Sequence, residues 1–440
     1  MKKLLFILLL TIPFISISQT VGPHDDKKEG WVNGYGEMKD NKKEGLWIFY
    51  VPVFYTPFTE GYYVNNKKEG LWSKFYGNNK KLIETVNYIN DKKEGVSIGY
   101  HLENGKESYR NNYKNDKKEG LYQSYDVIGR LELEGNYTDN KKDGIWISYL
   151  FEEIYNKGNY INDKKEGVWK SYFSGELKEE GNYINDKKEG VWKSYHVSGE
   201  LSSEVNYIND KKEGLLKSFY GSGEFSEGNY INNKKEGVWK HYHISGELSS
   251  EENYINDKIE GVWKYYHISG ELSLEGNYIN EKKEGVWKHY HISGELSSEG
   301  NYINDKKEGV WKSYYKSGNL EEEVDWEDPK IGHVKNYHVN GKLKSKGTHK
   351  FYRNFGSFST SERKDGVWEY YYEGGEIKEK GNYSQGFTEE YKYVKTSIKE
   401  GLWKTYYQSG KLKKEENCKD GLVISKKCWD EDGNEIECEK

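Results

Sequence analysis

Two short apolar runs recur along the chain, separated by polar and turn-forming residues. In the stretch 261–284, the first run follows Gly261 as Val-Trp-Lys-Tyr-Tyr, and the second is Leu-Ser-Leu-Glu-Gly-Asn-Tyr-Ile. Ser269–Gly270 separates the two runs, and Asn280–Glu281 follows the second. Such runs are typical of β-strands, and Gly and Asn readily adopt the positive φ of a tight hairpin turn. Each unit is therefore predicted to be one β-hairpin.

This unit recurs at nearly constant spacing. A glycine after Glu or Asp begins each copy, and from Gly45 to Gly309 the intervals are 25, 25, 25, 24, 23, 23, 24, 23, 24, 24 and 24 residues. These anchor glycines are Gly30, Gly45, Gly70, Gly95, Gly120, Gly144, Gly167, Gly190, Gly214, Gly237, Gly261, Gly285, Gly309, Gly366 and Gly401, with a degenerate copy at Gly332. Tandem units of this length bury their apolar faces by stacking on their neighbours. The pattern predicts an all-β fold, an elongated, twisted antiparallel β-meander of tandem hairpin repeats.

The strand register follows from the predicted turn. If Ser269–Gly270 is the turn, counting outwards places Trp263 opposite Gly276 and Tyr278 opposite Gly261. Large rings then face glycines, which leave room for them. An even repeat keeps the rings on one face in every copy. The candidate residues of this repeated aromatic face are Trp263, His267, Tyr278, Trp287, His291 and Tyr302.

Copies of 23 residues break this alternation. In the copy 167–189, the same count places Trp169 against Glu180 instead of Gly181. Either a bulge or an altered turn at 173–175 must absorb the difference, and the residues leave both open.

Composition argues against a thick aliphatic core. Hydrophobic residues make up 34% of the chain, charged residues 32% and aromatic residues 16%, so aromatic rings in a thin layer are expected to supply most of the buried surface. The formal net charge of −6 does not favour a nucleic-acid partner.

The N-terminus has the features of an export signal. Residues 1–18 combine Lys2 and Lys3 with an apolar run that continues to Ile17, as in cleavable signal peptides. No later segment approaches the ~20 apolar residues of a membrane span, so no transmembrane segment is expected in the mature chain. The expected location is the periplasm, the outer-membrane surface or the outside of the cell.

The predicted organisation after the signal peptide has three parts. Tandem repeats occupy 27–321, with an insertion at 51–61. Degenerate repeats with further insertions occupy 322–417, and a cysteine-containing cap occupies 418–440.

The three cysteines are Cys418, Cys428 and Cys438, at intervals of ten residues. In an oxidising compartment, one pair is expected to close the final hairpins as a disulfide and to leave one thiol. The spacing does not decide which two cysteines pair.

The repeat resembles the MORN repeat (membrane occupation and recognition nexus) in its bacterial variant. The shared pattern is Gly-x-Trp-x-x-Tyr, then x-Gly-x-Leu, then Gly-x-Tyr and a turn, present here as Gly167-Val-Trp-Lys-Ser-Tyr and Gly181-Asn-Tyr-Ile-Asn-Asp. The resemblance covers nearly all of 27–440, but this chain uses Asn-Asp where Asn-Gly is commoner. It implies a meandering sheet and contacts with protein or lipid, without a defined reaction. Some bacterial relatives are labelled antitoxins, which would imply an inhibitor of a partner protein.

No pattern predicts catalysis, a cofactor or a metal site. Carboxylates recur in every repeat, whereas an active site is a singular constellation, and motifs for nucleophiles, phosphate loops and zinc proteases are missing from the sequence. His289 and His291 share a strand face and could chelate a metal together. Tyr315 occupies the equivalent position in the next copy, so aromatic packing is the preferred interpretation.

Insertions in the regular array are the candidate recognition elements, because aromatic residues in loops on a rigid scaffold often bind partners. The candidate binding residues are Phe54, Tyr55, Phe58, Phe351, Tyr352, Phe355 and Phe358. The leading hypothesis is a non-catalytic exported scaffold that mediates protein–protein interaction at the cell envelope. The alternatives are a module that binds cell-wall glycan or lipid headgroups, and an antitoxin-like inhibitor of a partner protein.

Overall fold

A computed structural model describes residues 33–50, 58–76, 79–328, 330–353, 360–386 and 396–438. These residues form 34 β-strands and no helix, which confirms the predicted all-β class. None of them forms a helix that could cross a membrane. The chain divides into two compact units: the first runs to Leu201 and includes Tyr207–Asp210, and the second comprises Ser202–Asn206 and Lys211–Lys440.

Fifteen strands belong to the first unit, and a sixteenth spans the division. They are β1 (Asn33–Lys39), β2 (Lys42–Tyr50), β3 (Phe58–Val64), β4 (Lys67–Tyr76), β5 (Lys81–Ile89), β6 (Lys92–Tyr100), β7 (Glu107–Lys114), β8 (Lys117–Lys118), β9 (Gly120–Tyr125), β10 (Leu131–Thr138), β11 (Lys141–Leu150), β12 (Glu153–Ile161), β13 (Lys164–Phe173), β14 (Glu176–Ile184), β15 (Lys187–Tyr195) and β16 (Leu201–Ile208).

The second unit contains the remaining strands. They are β17 (Lys211–Phe219), β18 (Phe225–Ile231), β19 (Lys234–Tyr242), β20 (Leu248–Ile255), β21 (Lys258–Tyr266), β22 (Leu272–Ile279), β23 (Lys282–Tyr290), β24 (Leu296–Ile303), β25 (Lys306–Tyr314), β26 (Leu320–Asp328), β27 (Ile331–Tyr337), β28 (Leu343–Arg353), β29 (Thr360–Tyr371), β30 (Ile377–Gly386), β31 (Thr396–Tyr406), β32 (Leu412–Lys419), β33 (Leu422–Trp429) and β34 (Glu435–Ile436).

Within each unit, strands pair antiparallel with their neighbours in sequence, as β21, β22, β23 and β24 illustrate. The strands that pack against one another are mainly these same neighbours, and β7 also pairs with β9 beyond the two-residue strand β8. The predicted antiparallel meander of tandem hairpins is therefore confirmed.

The Asn-Asp segments are two-residue hairpin turns. Asn304 and Asp305 both have positive φ, 50° and 67°, as a type I′ turn requires. Each such turn is also bound to the turn of the preceding repeat: Lys283 N–H donates to Asp305 Oδ1 (2.8 Å), and Asn304 N–H donates to Glu284 Oε2 (2.9 Å). These turns therefore connect successive hairpins along one edge.

The Ser-Gly segments differ from the predicted two-residue turn. His267 N–H donates to Glu271 O and Gly270 N–H donates to His267 O, both at 2.8 Å, so the loop has three residues and ends in Gly270 with φ 88°. A bulge at Ser273 follows, because the partners shift between Tyr265 and Tyr266. The loop and the bulge each displace the register by one residue in opposite directions. The predicted pairing of Trp263 with Gly276 is therefore correct, although the predicted turn is wrong.

The 23-residue copies lose their residue in two different ways. In the copy that begins at Gly167, Ser174 and Gly175 (φ 49° and 78°) form a two-residue turn, and Trp169 still faces Gly181. In the copy that begins at Gly214, the three-residue loop remains and the strand bulge disappears. Either change keeps the large side chains on the same face.

The C-terminal cap contains a disulfide between Cys428 and Cys438. Cys418 is a buried thiol that faces Gly401, and burial raises its pKa. Its position in the repeat is the one that tyrosine occupies in Gly-x-Tyr.

Candidate functional site

A second register shift in each repeat places a tryptophan ring above a glycine. Between β22 and β23, the pairs Glu275–Lys288 and Asn277–Glu284 flank a bulge in which the three residues 285–287 face Gly276. Gly285, with φ 74°, supplies the left-handed residue of this bulge. The bulge brings the Trp287 ring over Gly276, where an added Cβ would lie 2.1 Å from ring atoms.

The ring over each glycine thus comes from the following hairpin. Trp263 is the register partner of Gly276 within one hairpin, but Trp287 of the next hairpin covers that glycine. The same arrangement joins Gly36 to Trp47, Gly61 to Trp72, Gly135 to Trp146, Gly158 to Trp169, Gly181 to Trp192, Gly228 to Trp239, Gly300 to Trp311, Gly347 to Trp368 and Gly381 to Trp403. We call the side of the sheet that carries these rings the aromatic face.

The tryptophans that cover a glycine are buried, and all of them except Trp287 donate a hydrogen bond from the indole Nε1 to a backbone oxygen. Trp146 and Trp403 are 2% and 1% exposed. The Trp146 indole Nε1 donates to Asn136 O at 3.1 Å, and that of Trp403 donates to Asn382 O at 3.1 Å. The acceptor is in each case the backbone oxygen of the residue that follows the covered glycine.

Tyrosines and lysines complete the cover of each tryptophan. Tyr278 and Tyr302 contact Trp287 edge-to-face, at centroid distances of 5.3 and 5.9 Å. Lys283 Nζ lies 4.2 Å from the centroid of Trp287 and 5.2 Å from that of Tyr302, which are cation–π distances. Burial lowers the pKa of Lys283, and the charge of Asp305 opposes that shift. The chain's own groups therefore occupy the ring faces that a ligand would use.

The predicted residues of the aromatic face do lie close together, apart from the two histidines. Trp263, Tyr278, Trp287 and Tyr302 form one packed row.

His267 and His291 instead lie at the start of the three-residue loops. Their Nε2 atoms are 3.3 Å from Tyr290 O and 3.4 Å from Tyr314 O, in the next hairpin. Tyr315 makes the equivalent contact, because its hydroxyl donates to Tyr337 O at 2.8 Å. Histidine and tyrosine therefore exchange at this position since both reach the next backbone. In the part of the chain that the structure describes, no three His, Cys, Asp or Glu residues form a metal-binding group.

Most of the predicted recognition insertions lie outside the residues that the structure describes. Phe54, Tyr55, Phe355 and Phe358 are outside the described residues, as is the predicted signal peptide 1–18. Phe58, Phe351 and Tyr352 lie on β3 and β28, but their side chains are outside the description. Their role in recognition stays a prediction.

The opposite side of the sheet, which we call the outer face, carries exposed aliphatic residues. Val262 and Val286, each next to an anchor glycine, are 57% and 56% exposed, and Ile303 is 44% exposed. Val286 faces Asn301, and Ile303 shares the face of Asn301 because it lies two residues further along the strand.

We call the residues after the anchor glycines the aliphatic ladder. In the first unit it comprises Leu46, Leu71, Val96, Leu121, Ile145, Val168 and Val191, and in the second unit Leu215, Val238, Val262, Val286, Val310, Val367 and Leu402, all exposed. Charged pairs such as Lys240–Glu251, at 3.4 Å, flank it. The predicted register implies that Val262 lies on the face opposite Trp263, since adjacent residues of a strand point to opposite faces, but no role was predicted for it. The signal was the aliphatic residue that directly follows each anchor glycine from Gly45 to Gly401.

The geometry defines a class of protein, a tandem β-hairpin repeat with one self-covered aromatic face. The sequence model of the MORN repeat variant matches the chain eight times, at 188–209, 235–256, 259–280, 283–304, 307–328, 330–351, 364–385 and 399–420. The chain belongs to the MORN repeat proteins, as its repeat pattern predicted.

No curated protein matches the chain. Among solved structures, the chain is similar to one in the crystal structure of TcdB2-TccC3, with 10% identity and a TM-score of 0.14, over 90% of this chain and 28% of that chain. A TM-score of this size does not establish a shared fold.

Proposed function

We propose that this MORN repeat protein is a non-catalytic scaffold that binds another protein at the cell envelope through its aliphatic ladder. The carrying observation is the exposure of one aliphatic side chain per repeat, such as Val238 at 50% and Val262 at 57%. Soluble proteins seldom leave rows of apolar side chains in water, and such patches mark interaction sites.

The two faces differ in what they offer a ligand. Stacking of a glycan needs accessible rings, but Trp287 is 0% exposed and Lys283 lies over it. The outer face offers apolar side chains flanked by Lys–Glu pairs, the arrangement of an apolar centre with a polar rim that is common at protein interfaces. These features support a protein partner over a cell-wall glycan. The envelope location rests on the predicted export signal.

Substitution of the ladder tests this proposal. The variant Val238→Lys, Val262→Lys and Val286→Lys should keep the fold, because these side chains are exposed, and should lose partner capture. The matched control replaces the same three valines with isoleucine, the residue found at Ile145. A photo-crosslinker at Val310 should then identify the partner in envelope extract, and the purified pair should bind with the wild-type and isoleucine chains.

Glycan and lipid arrays probed with the same three proteins provide the opposing outcome. Saturable binding to a glycan or an anionic lipid, together with no crosslinked protein, would replace the proposal with the glycan or lipid alternative. Undiminished capture by the lysine variant would move the site away from the ladder, and the insertions would become the leading candidates.

A further inference from the structure

One tryptophan of the aromatic face departs from the others. Trp263 is only partly buried, whereas the equivalent Trp239 and Trp287 on either side are 3% and 0% exposed. Its ring stacks on Tyr265 at 6.2 Å with an interplanar angle of 10°, and Tyr265 is itself 41% exposed. This part of the array therefore presents aromatic surface to solvent.

The sequence contains a nearly perfect control for this departure. The segments 237–260 and 285–308 are identical at every position except two, where Glu252 replaces Gly300 and Ile259 replaces Lys307. Both differences lie at the tryptophan that follows the segment. Gly300 lies beneath Trp311 and Lys307 Nζ lies 4.3 Å above the Trp311 ring.

Glu252 changes the position beneath the ring. Trp263 faces Glu252 directly, and because the glutamate has a side chain, the ring cannot settle over the backbone as Trp287 does over Gly276. The Glu252 carboxylate accepts a hydrogen bond of 2.6 Å from the Tyr254 hydroxyl and lies 3.9 Å from His241 Nε2. A carboxylate thus occupies the position beneath the tryptophan ring that glycine occupies under Trp287 and Trp311.

Ile259 changes the position above the ring. In every other described repeat with a tryptophan at this position, a lysine lies over the ring, as Lys235 does at 4.2 Å from Trp239 and Lys283 does at 4.2 Å from Trp287. An isoleucine side chain is two bonds shorter than lysine and carries no charge. Over Trp263 and Tyr278 the described part of the chain therefore places no ammonium group.

The two ring acceptors and the negative field remain. Trp263 and Tyr278 keep their edge-to-face arrangement at 6.4 Å. Burial raises the pKa of Tyr278, and the charges of Asp305 and then Glu252 add to that shift, which means that negative charge acts at this ring. Aromatic faces next to a carboxylate attract organic cations.

We propose that Trp263, Tyr278 and the Glu252 carboxylate form a binding site for an organic ammonium group supplied from outside this repeat. The site accepts in trans the group that lysine supplies in cis elsewhere in the array. A primary ammonium on an alkyl chain, such as a lysine side chain, and a quaternary ammonium, such as a choline headgroup, share this chemistry. The site lies on the aromatic face and is independent of the aliphatic ladder.

The test uses the full chain labelled with 5-fluorotryptophan, with the Trp263 resonance assigned from Trp263→Phe. Titration with n-butylammonium and, separately, with tetramethylammonium at constant ionic strength should shift the Trp263 signal saturably, and neutral n-butanol should not. The cation that binds more tightly shows whether the site prefers a primary ammonium, as in a lysine side chain, or a quaternary ammonium, as in a choline headgroup. Glu252→Gln should weaken the binding about fivefold, the upper range for an exposed ion pair.

Two further variants separate binding from folding. Ile259→Lys should abolish the binding because it restores the ammonium in cis. The double variant Glu252→Gly, Ile259→Lys, which makes the segment 237–260 identical to 285–308, should bury Trp263 and also remove the binding. Glu251→Gln, on the outer face beside Tyr266, is the matched charge control and should bind normally. Absence of a saturable shift with either cation, or an unchanged affinity in Ile259→Lys, would overturn the proposal.

Discussion

A glycine and the tryptophan of the next hairpin share one volume on the aromatic face. Where the tryptophan is replaced, the glycine is replaced too. Val86 faces Ser97, and Val324 faces Val334, with all four side chains buried. A larger residue on one strand thus accompanies a smaller one on the next, as close packing requires. The chain records this steric rule within its own repeats.

A double-mutant cycle tests the rule. Gly276→Val should destabilise the protein by about 1–3 kcal/mol, since overpacking a filled site costs that much. Trp287→Val alone should also destabilise, because it leaves a cavity. The double variant recreates the Val324–Val334 pair and should be more stable than the two single effects predict. Urea denaturation measures all four proteins, and strict additivity would contradict the rule.

His349 occupies a tyrosine position of the aromatic face. Its ring lies 5.0 Å from that of Trp368, and burial, with the charge of Lys364, lowers its pKa from 6.5 to about 4. The unfolded chain binds a proton below pH 6.5, while the folded chain resists it until about pH 4. The free energy of unfolding therefore decreases as the pH falls from about 6.5 to about 4.

The variant His349→Tyr should reduce this acid sensitivity. Urea midpoints measured at pH 7.5 and pH 4.5 should differ less in the variant than in the wild-type chain, because the tyrosine does not titrate there. His333→Gln, at an exposed histidine, is the control and should keep the wild-type difference. An equal acid loss in His349→Tyr would show that His349 is not the responsible group.

The facing of Trp263 and Gly276 could be predicted from residue order, but the ring that covers Gly276 could not. That ring depends on the bulge at 285–287, and a bulge that carries glycine reads in sequence like an ordinary strand start. The exposed ladder was recoverable from alternation alone. The Trp263 site could not be predicted from sequence. Its interpretation requires knowing that a lysine lies over the tryptophan ring in other repeats, as Lys283 does over Trp287, and the sequence does not show that contact.

At the scale of the element, the hydrogen bonds of the Asn-Asp turns explain why this chain has Asp where Asn-Gly turns have glycine. Glycine would adopt the positive φ of Asp305 with less conformational strain, because it has no Cβ. The aspartate also accepts a hydrogen bond from Lys283 N–H, so it stabilises the junction between two repeats. Asn140 and Asn233 occupy this position elsewhere and accept the same bond from Lys118 and Lys212.

Substitution at Asp305 separates the turn from the junction. Asp305→Asn should have little effect, since an amide oxygen is retained, whereas Asp305→Gly should lose about 1 kcal/mol, the net value of a hydrogen bond, partly offset by the easier φ. Thermal unfolding measures both. A glycine variant more stable than the asparagine variant would show that turn conformation outweighs the inter-repeat bond.

The three-residue loops show where prediction of elements stops. Ser-Gly between two apolar runs suits a two-residue turn, and the residues do form one at Ser174–Gly175. In the longer copies the same letters end a three-residue loop. The bulge at Ser273 shifts the register back by one residue, so that the strand partners beyond it are the same as for a two-residue turn. The turn type could therefore not be predicted from strand pairing.

For the molecule as a whole, packing mainly between sequence neighbours means that each junction contributes its own stability. Fold class and repeat boundaries were predictable because they depend on period and turn chemistry, which every copy repeats. The contributions of individual junctions were not, since one substitution, such as Glu252 for glycine, changes a junction without changing the repeat pattern.

Two deletions of 24 residues test this view of the array. Removal of 285–308 places Trp311 over Gly276 and leaves the mismatch of Glu252 with Trp263. Removal of 237–260 places Trp263 over Gly228 and beneath Lys235, so the mismatch disappears. The two products differ in composition only by Glu252 and Ile259 in place of Gly300 and Lys307, although the repeat 261–284 comes second of the two retained repeats in one product and first in the other. Both keep the strand alternation because 24 is even.

Nearest-neighbour energetics then predicts unequal products. The chain without 237–260 should be the more stable, on the order of 2 kcal/mol, because it gains a filled glycine–tryptophan contact and a cation–π contact. It should also lose the ammonium-dependent shift of Trp263, although Trp263 and Tyr278 remain. Urea denaturation and the fluorine titration measure the two effects. Equal stabilities, or loss of β-structure in both chains, would mean that junctions are not independent and that distant repeats support one another.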